Sequence, residues 1–121
     1  MVARITLQQY SVVDNNKEAP KEYAGDALAV GRDKNKSNIV VNCPVVSRQH
    51  AQILRYANGW AIYDCDSQNG THVIRGTSTY EVPRVTETGK LDRMHIFTLQ
   101  SGDIIVLAQK VGLKVCGWEL N

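Results

Sequence analysis

The chain alternates short apolar runs with clusters of polar and turn-forming residues. Runs rich in Val, Ile, Leu and Tyr recur along its length, and no stretch keeps the helical i, i+3, i+4, i+7 spacing for three turns. The pattern predicts nine strands, at residues 3–13, 27–31, 38–41, 50–56, 60–64, 72–74, 96–99, 104–108 and 113–120. We therefore expect an all-β fold, a two-sheet β-sandwich of about 9–11 mostly antiparallel strands.

Alternation is clearest in "HAQILRY", residues 50–56, where Ala51 and Ile53 are expected to face the core while Gln52 and Arg55 face solvent. The following "ANGW", residues 57–60, contains Asn-Gly, the dipeptide most typical of tight hairpins. The fourth and fifth predicted strands should therefore pair antiparallel.

Two segments interrupt this regularity. Residues 14–26 are polar and contain a proline, which predicts a long mobile connection. Residues 76–93 form a longer insertion, in which residues 80–82 could pair as a short strand; loops of this length commonly carry function or stay disordered. Because no repeat or composition shift marks a boundary, we expect a single domain over residues 1–121.

Composition narrows the function classes. Fourteen Lys and Arg residues against twelve Asp and Glu give a net charge of +2, so general binding to nucleic acid or membrane is not expected and any anion recognition must be local. Three widely spaced cysteines without a C-x-x-C pair argue against a disulfide framework. With no signal-peptide or membrane-span pattern, we expect a soluble intracellular module, cytoplasmic or nuclear.

The sequence gives little support for an enzyme or for a protein that binds a metal or cofactor. Ser47, His50 and Asp64 could compose a hydrolase triad, but no glycine-flanked elbow surrounds Ser47 and no oxyanion hole is evident. The three histidines lack companion ligands at metal-binding spacing, and the glycines form no phosphate-cradling loop. We therefore expect no enzyme, no metal and no cofactor.

An anion site is the better interpretation. Arg32 ends a predicted strand, Ser47 and Arg48 share one loop, and Asn69 lies on another. Either arginine alone could be a solvated surface charge, but loops from alternate strand ends gather at one edge of a sandwich. Two guanidinium groups and a hydroxyl would there suit one phosphate group.

Four motifs occur in order: "GR" at residue 31, "SRQH" at 47, "DCDSQNGT" at 64 and "LQSGDII" at 99. From residue 28 to the end, the chain resembles the forkhead-associated (FHA) domain, whose pattern is GR, S-x-x-H, D-x-x-S-x-N-G-T and L-x-x-G-D-x-I. The stretch "THVIRG" resembles the T-x-V-N-G of the family, with Arg75 in place of asparagine.

The resemblance implies a site for phosphothreonine in a substrate of a Ser/Thr kinase. Arg32 and Ser47 would bind the phosphate, and Arg48 would be a further donor to it. Asn69 would hydrogen-bond the peptide backbone. Gln68 stands where the family often has threonine, which leaves its additional contact in doubt. A small pocket for the threonine methyl group implies a preference for phosphothreonine over phosphoserine.

Other residues would support this site. The resemblance implies that His50 braces the serine loop, that Gly31 permits the turn that aims Arg32, and that Gly70 and Thr71 belong to loop architecture. Gly70 in particular suits a position with positive φ.

Selectivity in the family comes from the loop before the serine and from the loop around "SQNG". Here the first loop reads "NCPVV" and is uncharged. We hypothesise that Val45, with Pro44 or Cys43, favours an apolar residue about three places after the phosphothreonine.

The sequence thus predicts a non-catalytic module that docks phosphothreonine proteins. A second hypothesis is a phosphate-independent scaffold that uses residues 76–93 or a sheet face, including for self-association. A Ser/His hydrolase is the third.

Overall fold

In the computed structural model of the chain, residues 2–85 and 96–120 are described. These residues form eleven strands: β1 (Arg4–Ser11), β2 (Lys21–Ala24), β3 (Ala27–Gly31), β4 (Ile39–Val40), β5 (Ala51–Tyr56), β6 (Gly59–Asp64), β7 (Thr71–Arg75), β8 (Ser78–Glu81), β9 (Phe97–Thr98), β10 (Ile104–Leu107) and β11 (Val111–Glu119). No helix among them is long and apolar enough to cross a membrane.

The strands form two sheets. One has the order β2-β1-β11-β10-β7-β8 and the other the order β4-β3-β5-β6-β9. Neighbouring strands pair antiparallel except β3 and β4, which run parallel. The predicted fold class, a mostly antiparallel β-sandwich, is confirmed.

The core lies between the sheets because each strand turns alternate side chains inward. The six-stranded sheet contributes Ile5, Leu7, Val73, Ile105, Leu107, Leu113 and Val115, and the five-stranded sheet contributes Leu28, Val30, Ile39, Ile53, Trp60 and Ile62. Trp60 is completely buried and is part of the core.

The predicted hairpin between the fourth and fifth expected strands is present as β5 and β6. Ala51 and Ile53 are buried and Arg55 is exposed, as expected from the alternation. The turn lies one residue earlier than Asn-Gly suggests, because Tyr56 pairs with Gly59 and Ala57 takes the positive φ of 52°. Gly59 instead begins β6, where a Cβ atom would lie 3.3 Å from Trp118.

Residues 14–26 are not simply a mobile connection, because Lys21–Ala24 form the edge strand β2. Tyr23 packs against the core, and Arg4 Nη1 donates to Glu22 Oε1 at 2.8 Å across the β1–β2 pair. Polar edge strands of this kind lack the apolar run that identifies a central strand.

The insertion at residues 76–93 is also partly structured. Ser78–Glu81 form β8, which pairs with β7, so the predicted short strand begins two residues earlier than expected. Residues 86–93 of the predicted insertion lie outside the described residues.

Five connections meet at one end of the sandwich: residues 12–20, 32–38, 41–50, 65–70 and 108–110. Four backbone hydrogen bonds join neighbouring connections: Arg32 N to Ser47 O at 3.1 Å, Cys65 N to His50 O at 2.9 Å, Ala108 N to Gly70 O at 3.0 Å, and Val12 N to Lys110 O at 2.9 Å. This end carries every sequence-predicted site residue.

Candidate phosphate and peptide site

The connection of residues 32–38 approaches the serine loop, residues 41–50, through backbone and side-chain hydrogen bonds. Asp33 N donates to Arg48 O at 3.2 Å, and Arg32 Nε donates to Val46 O at 3.0 Å. The second bond fixes the guanidinium group at its Nε end, so both terminal nitrogens can point toward solvent. Arg32 and Arg48 are exposed, and neither forms an ion pair with any described residue.

Both arginines line one open cleft of about 450 Å³, which we call the arginine cleft. Its other lining residues are Asp33, Lys34, Asn35 and Asn42. The carboxylate of Asp33 is engaged within its own turn, where Oδ1 accepts from Asn35 N at 2.9 Å. The cleft therefore carries an excess of positive charge and amide donors, which suits an anion.

Gly31 has a different role from the turn that the sequence suggested. It lies in β3 without a positive φ, and a Cβ atom there would overlap the carbonyl oxygen of Arg48 and lie 2.8 Å from the Arg48 carbonyl carbon. Gly31 is required because the serine loop passes directly against its backbone.

The hydroxyl of Ser47 is oriented by the next loop. Ser47 Oγ accepts a hydrogen bond from Gln68 N at 3.0 Å. Because one lone pair of the oxygen is occupied in this way, the hydroxyl proton can be donated to an incoming acceptor such as a phosphate oxygen. The backbone of Gln68 thus takes part in the site, while its side chain is exposed.

Asn69 joins the two loops by its side chain. Its Nδ2 donates to Val45 O at 2.8 Å, which leaves Oδ1 and the second amide hydrogen for another partner. Gly70 follows with a φ of 85°, the positive value that its place in the motif suggested. The site therefore holds together residues from three separate connections, 32–38, 41–50 and 65–70.

Asp64 holds the loop of residues 65–70 in shape from inside the fold. Its buried carboxylate accepts from Ser67 N, Ser67 Oγ and Thr71 Oγ1, each at 2.6 Å. Ser67 Oγ in turn accepts from Gly70 N at 2.9 Å. This network fixes the backbone that presents Gln68 N and Asn69.

His50 is buried beneath the serine loop and uses both ring nitrogens. Nδ1 accepts from Ser47 N at 3.0 Å, which places the ring proton on Nε2, and Nε2 donates to Gly70 O at 2.9 Å. Burial lowers the pKa of His50, and the hydrogen bond to Gly70 O and the attraction of Asp64 only partly oppose this. A second proton would lie on Nδ1, facing the Ser47 N–H.

This arrangement predicts a pH dependence of stability. Because the pKa of His50 is lower in the folded chain than its ordinary value of 6.5, the unfolded chain takes up the proton first. The contribution of neutral His50 is therefore fully present above pH 6.5 and declines as the pH falls below that value. We expect a lower urea midpoint at pH 5.5 than at pH 7.5. His50→Gln should flatten this difference, and an equal slope for the two proteins would contradict the assignment.

The last motif, residues 99–105, lies away from the candidate site. Asp103 is buried, accepts from Gln100 N at 2.8 Å and binds Arg75 through two bonds of 2.8 and 2.7 Å. Arg75 ends β7, whereas Thr71 begins that strand beside the site. Arg75, which replaces the asparagine of the family pattern, thus stabilises the opposite end of the sandwich.

Sequence reasoning missed some parts of this end of the molecule. The carbonyl groups of Val45 and Val46 accept from site side chains, and the motifs assign no role to Lys34 or Asn42 in the arginine cleft. Backbone groups carry no sequence signal, so only the folded loops identify them.

Comparisons with known proteins identify the fold and the family. No match was found among curated proteins. Solved structures share the fold. The M. tuberculosis EmbR structure in complex with a low-affinity phosphopeptide is 21% identical to this chain, with a TM-score of 0.56. The match covers 96% of this chain but only 26% of the EmbR chain. The Slr1951 protein from Synechocystis is 21% identical with a TM-score of 0.60, with 100% of this chain and 98% of that chain covered.

The MEK1 FHA domain in complex with a HOP1 phosphothreonine peptide is 16% identical with a TM-score of 0.58, and the match covers 92% of this chain and 97% of that one. At these identities the likeness shows the fold. The FHA domain family model matches residues 28–108, about two thirds of the chain. This chain therefore belongs to the FHA domain family.

Proposed function

We propose that this chain is a non-catalytic module that binds phosphothreonine in a partner protein, so that phosphorylation of the partner by a Ser/Thr kinase controls the association. The observation that carries this proposal is that Arg32 and Arg48 line one cleft, with no ion pair to either arginine among the described residues, while the backbone of Arg32 bonds to Ser47 O at 3.1 Å. Membership of the FHA family supports it.

The chemistry of each group suits its role. A phosphate monoester carries about −1.5 to −2 charges at neutral pH, which two guanidinium groups can offset. The Ser47 hydroxyl would supply a short O–H···O bond to the phosphate, and the free end of the Asn69 amide would bond the peptide backbone. The exposed side chain of Gln68 would make an additional contact with the peptide at the edge of the site.

The hydrolase alternative conflicts with the hydrogen bonds. A general base for Ser47 needs a free lone pair, but Nδ1 of His50 already accepts from the backbone and Nε2 donates to Gly70 O. The carboxylate of Asp64 bonds Ser67 and Thr71 instead of the imidazole ring. Burial raises the pKa of Cys65 to about 11, so this thiol is no nucleophile either.

Calorimetry with a phosphothreonine peptide and its unphosphorylated counterpart tests the proposal. Binding of the phosphorylated peptide alone supports it. Equal binding of both peptides would favour the phosphate-independent scaffold, and hydrolysis that disappears in Ser47→Ala would favour the enzyme. A phosphoserine peptide should bind more weakly than the phosphothreonine peptide.

Val45 and Pro44 are proposed to read a peptide residue beyond the phosphothreonine. Both side chains are exposed on the loop that Asn69 holds, and Val45 is 40% exposed. The proposed preference is apolar because residues 42–46, which precede Ser47 on this loop, carry no charge.

Val45→Lys should shift that preference toward an acidic residue. A new exposed ion pair contributes about 0.2–1 kcal/mol, so the ratio of affinities for Asp and Leu peptides should rise by about 1.4- to fivefold. Val40→Lys is the matched control, because Val40 is 41% exposed and lies on β4 outside the loop. An unchanged ratio in Val45→Lys would show that Val45 does not contact a peptide residue beyond the phosphothreonine.

A further inference from the structure

Strand β8 lies at one edge of the six-stranded sheet. Among the described residues it pairs with β7 alone, and all four of its residues are exposed. Its sequence, Ser-Thr-Tyr-Glu, contains threonine and tyrosine, which favour strands, and lacks the lysine and proline that commonly protect such edges. The edge of β8 is therefore suited to pairing with another strand.

The opposite edge of the same sheet is less suited to pairing. It is formed by β2, which carries Lys21 and Glu22 and is preceded by Pro20. The Glu22 carboxylate already binds Arg4 at 2.8 Å. Charges and a proline discourage a further strand from pairing with an edge, so β8 is the better candidate for an interface.

The hydrogen bonds of the β7–β8 hairpin determine which backbone groups of β8 face outward. Val82 N donates to Thr71 O at 3.0 Å, so Val82 bonds toward β7. Because alternate residues of a strand bond to the same neighbour, Tyr80 also bonds toward β7. The N–H and C=O groups of Thr79 and Glu81 therefore face away from the sheet, toward a further strand.

These outward groups restrict how two copies of β8 can pair antiparallel. With Tyr80 opposite its own counterpart, Thr79 of each copy lies opposite Glu81 of the other, and the outward groups form four backbone hydrogen bonds. A register centred on Thr79 would instead pair Glu81 with Thr77 in the hairpin turn. A register centred on Glu81 would place two carboxylates opposite each other, which is destabilising. The register centred on Tyr80 is therefore favoured.

Tyr80 is held in place within each copy. Its ring centroid lies 5.4 Å from that of Phe97 and 5.7 Å from the guanidinium carbon of Arg75, and Tyr80 remains 40% exposed. Arg75 is in turn fixed by its two bonds to Asp103. Opposite residues of a pair without backbone bonds have Cα atoms about 4.5 Å apart, so the two Tyr80 side chains would be in contact.

We propose that two copies of this chain associate through β8, antiparallel and with Tyr80 on the two-fold axis, so that their six-stranded sheets become one continuous sheet. Charge supports a second copy as the occupant, because Glu81, the one charged residue of β8, faces the Thr79 hydroxyl. β8 contributes no residue to the candidate phosphate site, so the proposal does not depend on the proposed function. A dimer of this kind carries two copies of that site.

Sedimentation velocity at concentrations from about 5 µM to about 500 µM tests the association. Because four backbone bonds form a small interface, the complex should be weak, and the average mass should rise over this range toward that of a dimer. Thr79→Pro removes an outward N–H and keeps the bonds to β7, so each dimer loses two bonds and its dissociation constant should rise roughly tenfold. A monomeric mass at every concentration would overturn the proposal.

Ala24→Pro is the matched control. Ala24 is exposed on β2, and because Gly25 N donates to Ala3 O at 3.0 Å, the N–H of Ala24 faces away from β1. This substitution removes the same kind of group from the opposite edge and should change the dissociation constant by less than about twofold. Equal weakening by both variants would overturn the proposal. So would species larger than a dimer that Ala24→Pro abolishes, because these would indicate pairing of β8 with β2.

Disulfide cross-linking tests the register without a proline. Cys116 is exposed, so the variants are made in a Cys116→Ser background. Tyr80→Cys should cross-link two copies under mild oxidation, because its two Cα atoms would lie at a distance that a disulfide spans. Thr79→Cys should not, because its counterpart would lie two residues further along the second strand. Cross-linking of Thr79→Cys in preference to Tyr80→Cys would overturn the proposal.

Discussion

Arg32→Ala is expected to weaken binding of a phosphothreonine peptide by about 100-fold or more. In the proposed site, the substitution would remove two charge-assisted bonds to the phosphate, each contributing about 1.5–3 kcal/mol, and every 1.4 kcal/mol is a tenfold change. The unphosphorylated peptide should be unaffected, so the difference between the two peptides should nearly vanish.

Two companion variants make this result specific. Lys36→Ala removes an exposed cation from the same connection outside the arginine cleft, and should change the affinity less than about threefold. Arg32→Lys retains the charge but lacks the planar guanidinium group, and should give an affinity between those of the unsubstituted chain and Arg32→Ala. Because Arg32 Nε also bonds Val46 O, we expect Arg32→Ala to lower the free energy of unfolding by about 1 kcal/mol. Equal losses in Lys36→Ala and Arg32→Ala would indicate only a general charge effect.

Gly31→Ala should damage the fold and the site together. The added methyl group would overlap Arg48 O and approach Ser37 Oγ to 3.1 Å, and the backbone of residues 47 and 48 could give way only by losing its bonds from Arg32 N and Asp33 N. We expect a loss of about 3 kcal/mol in the free energy of unfolding by urea denaturation. Phosphopeptide affinity should fall as well, because Ser47 and Arg48 move away from Arg32.

Gly117→Ala is the matched control. Gly117 lies in β11 without a positive φ, and a Cβ atom there would meet nothing within 4 Å. This substitution should change the free energy of unfolding by less than about 1 kcal/mol and leave binding intact. Similar stabilities for the two variants would show that the serine loop does not depend on its close approach to β3.

Much of the fold could be predicted from local patterns. The run from Ala51 to Tyr56 alternates as a half-buried strand must, and its hairpin partner follows after a recognisable turn signal. β2 was missed because an edge strand needs few apolar residues, and only Tyr23 of its four residues packs against the core. Its partner β1 is the preceding strand, with paired residues from Leu7–Lys21 to Arg4–Ala24, but no turn signal of a tight hairpin joins the two strands.

Some residues of the candidate site could likewise be predicted from the sequence, and others become evident only in the folded chain. Arg32, Ser47 and Asn69 could be identified because each side chain has a distinct chemistry at a recognisable place in the motifs. Gly31 was identified for the wrong reason, because the close approach of Arg48 O becomes visible only in the folded chain. The apolar cleft lined by Tyr10, Val13, Cys43 and Val45 was not predicted, since its walls come from segments whose proximity is a property of the sheet order.

The proposed phosphate site is tested most directly by an NMR titration that follows backbone amides with a phosphothreonine peptide and with its unphosphorylated counterpart. We predict that the phosphorylated peptide alone causes large shifts, centred on Arg32, Ser47, Arg48, Gln68 and Asn69 at one end of the sandwich. Shifts of equal size with both peptides, or shifts confined to the outer face of the six-stranded sheet, would contradict it.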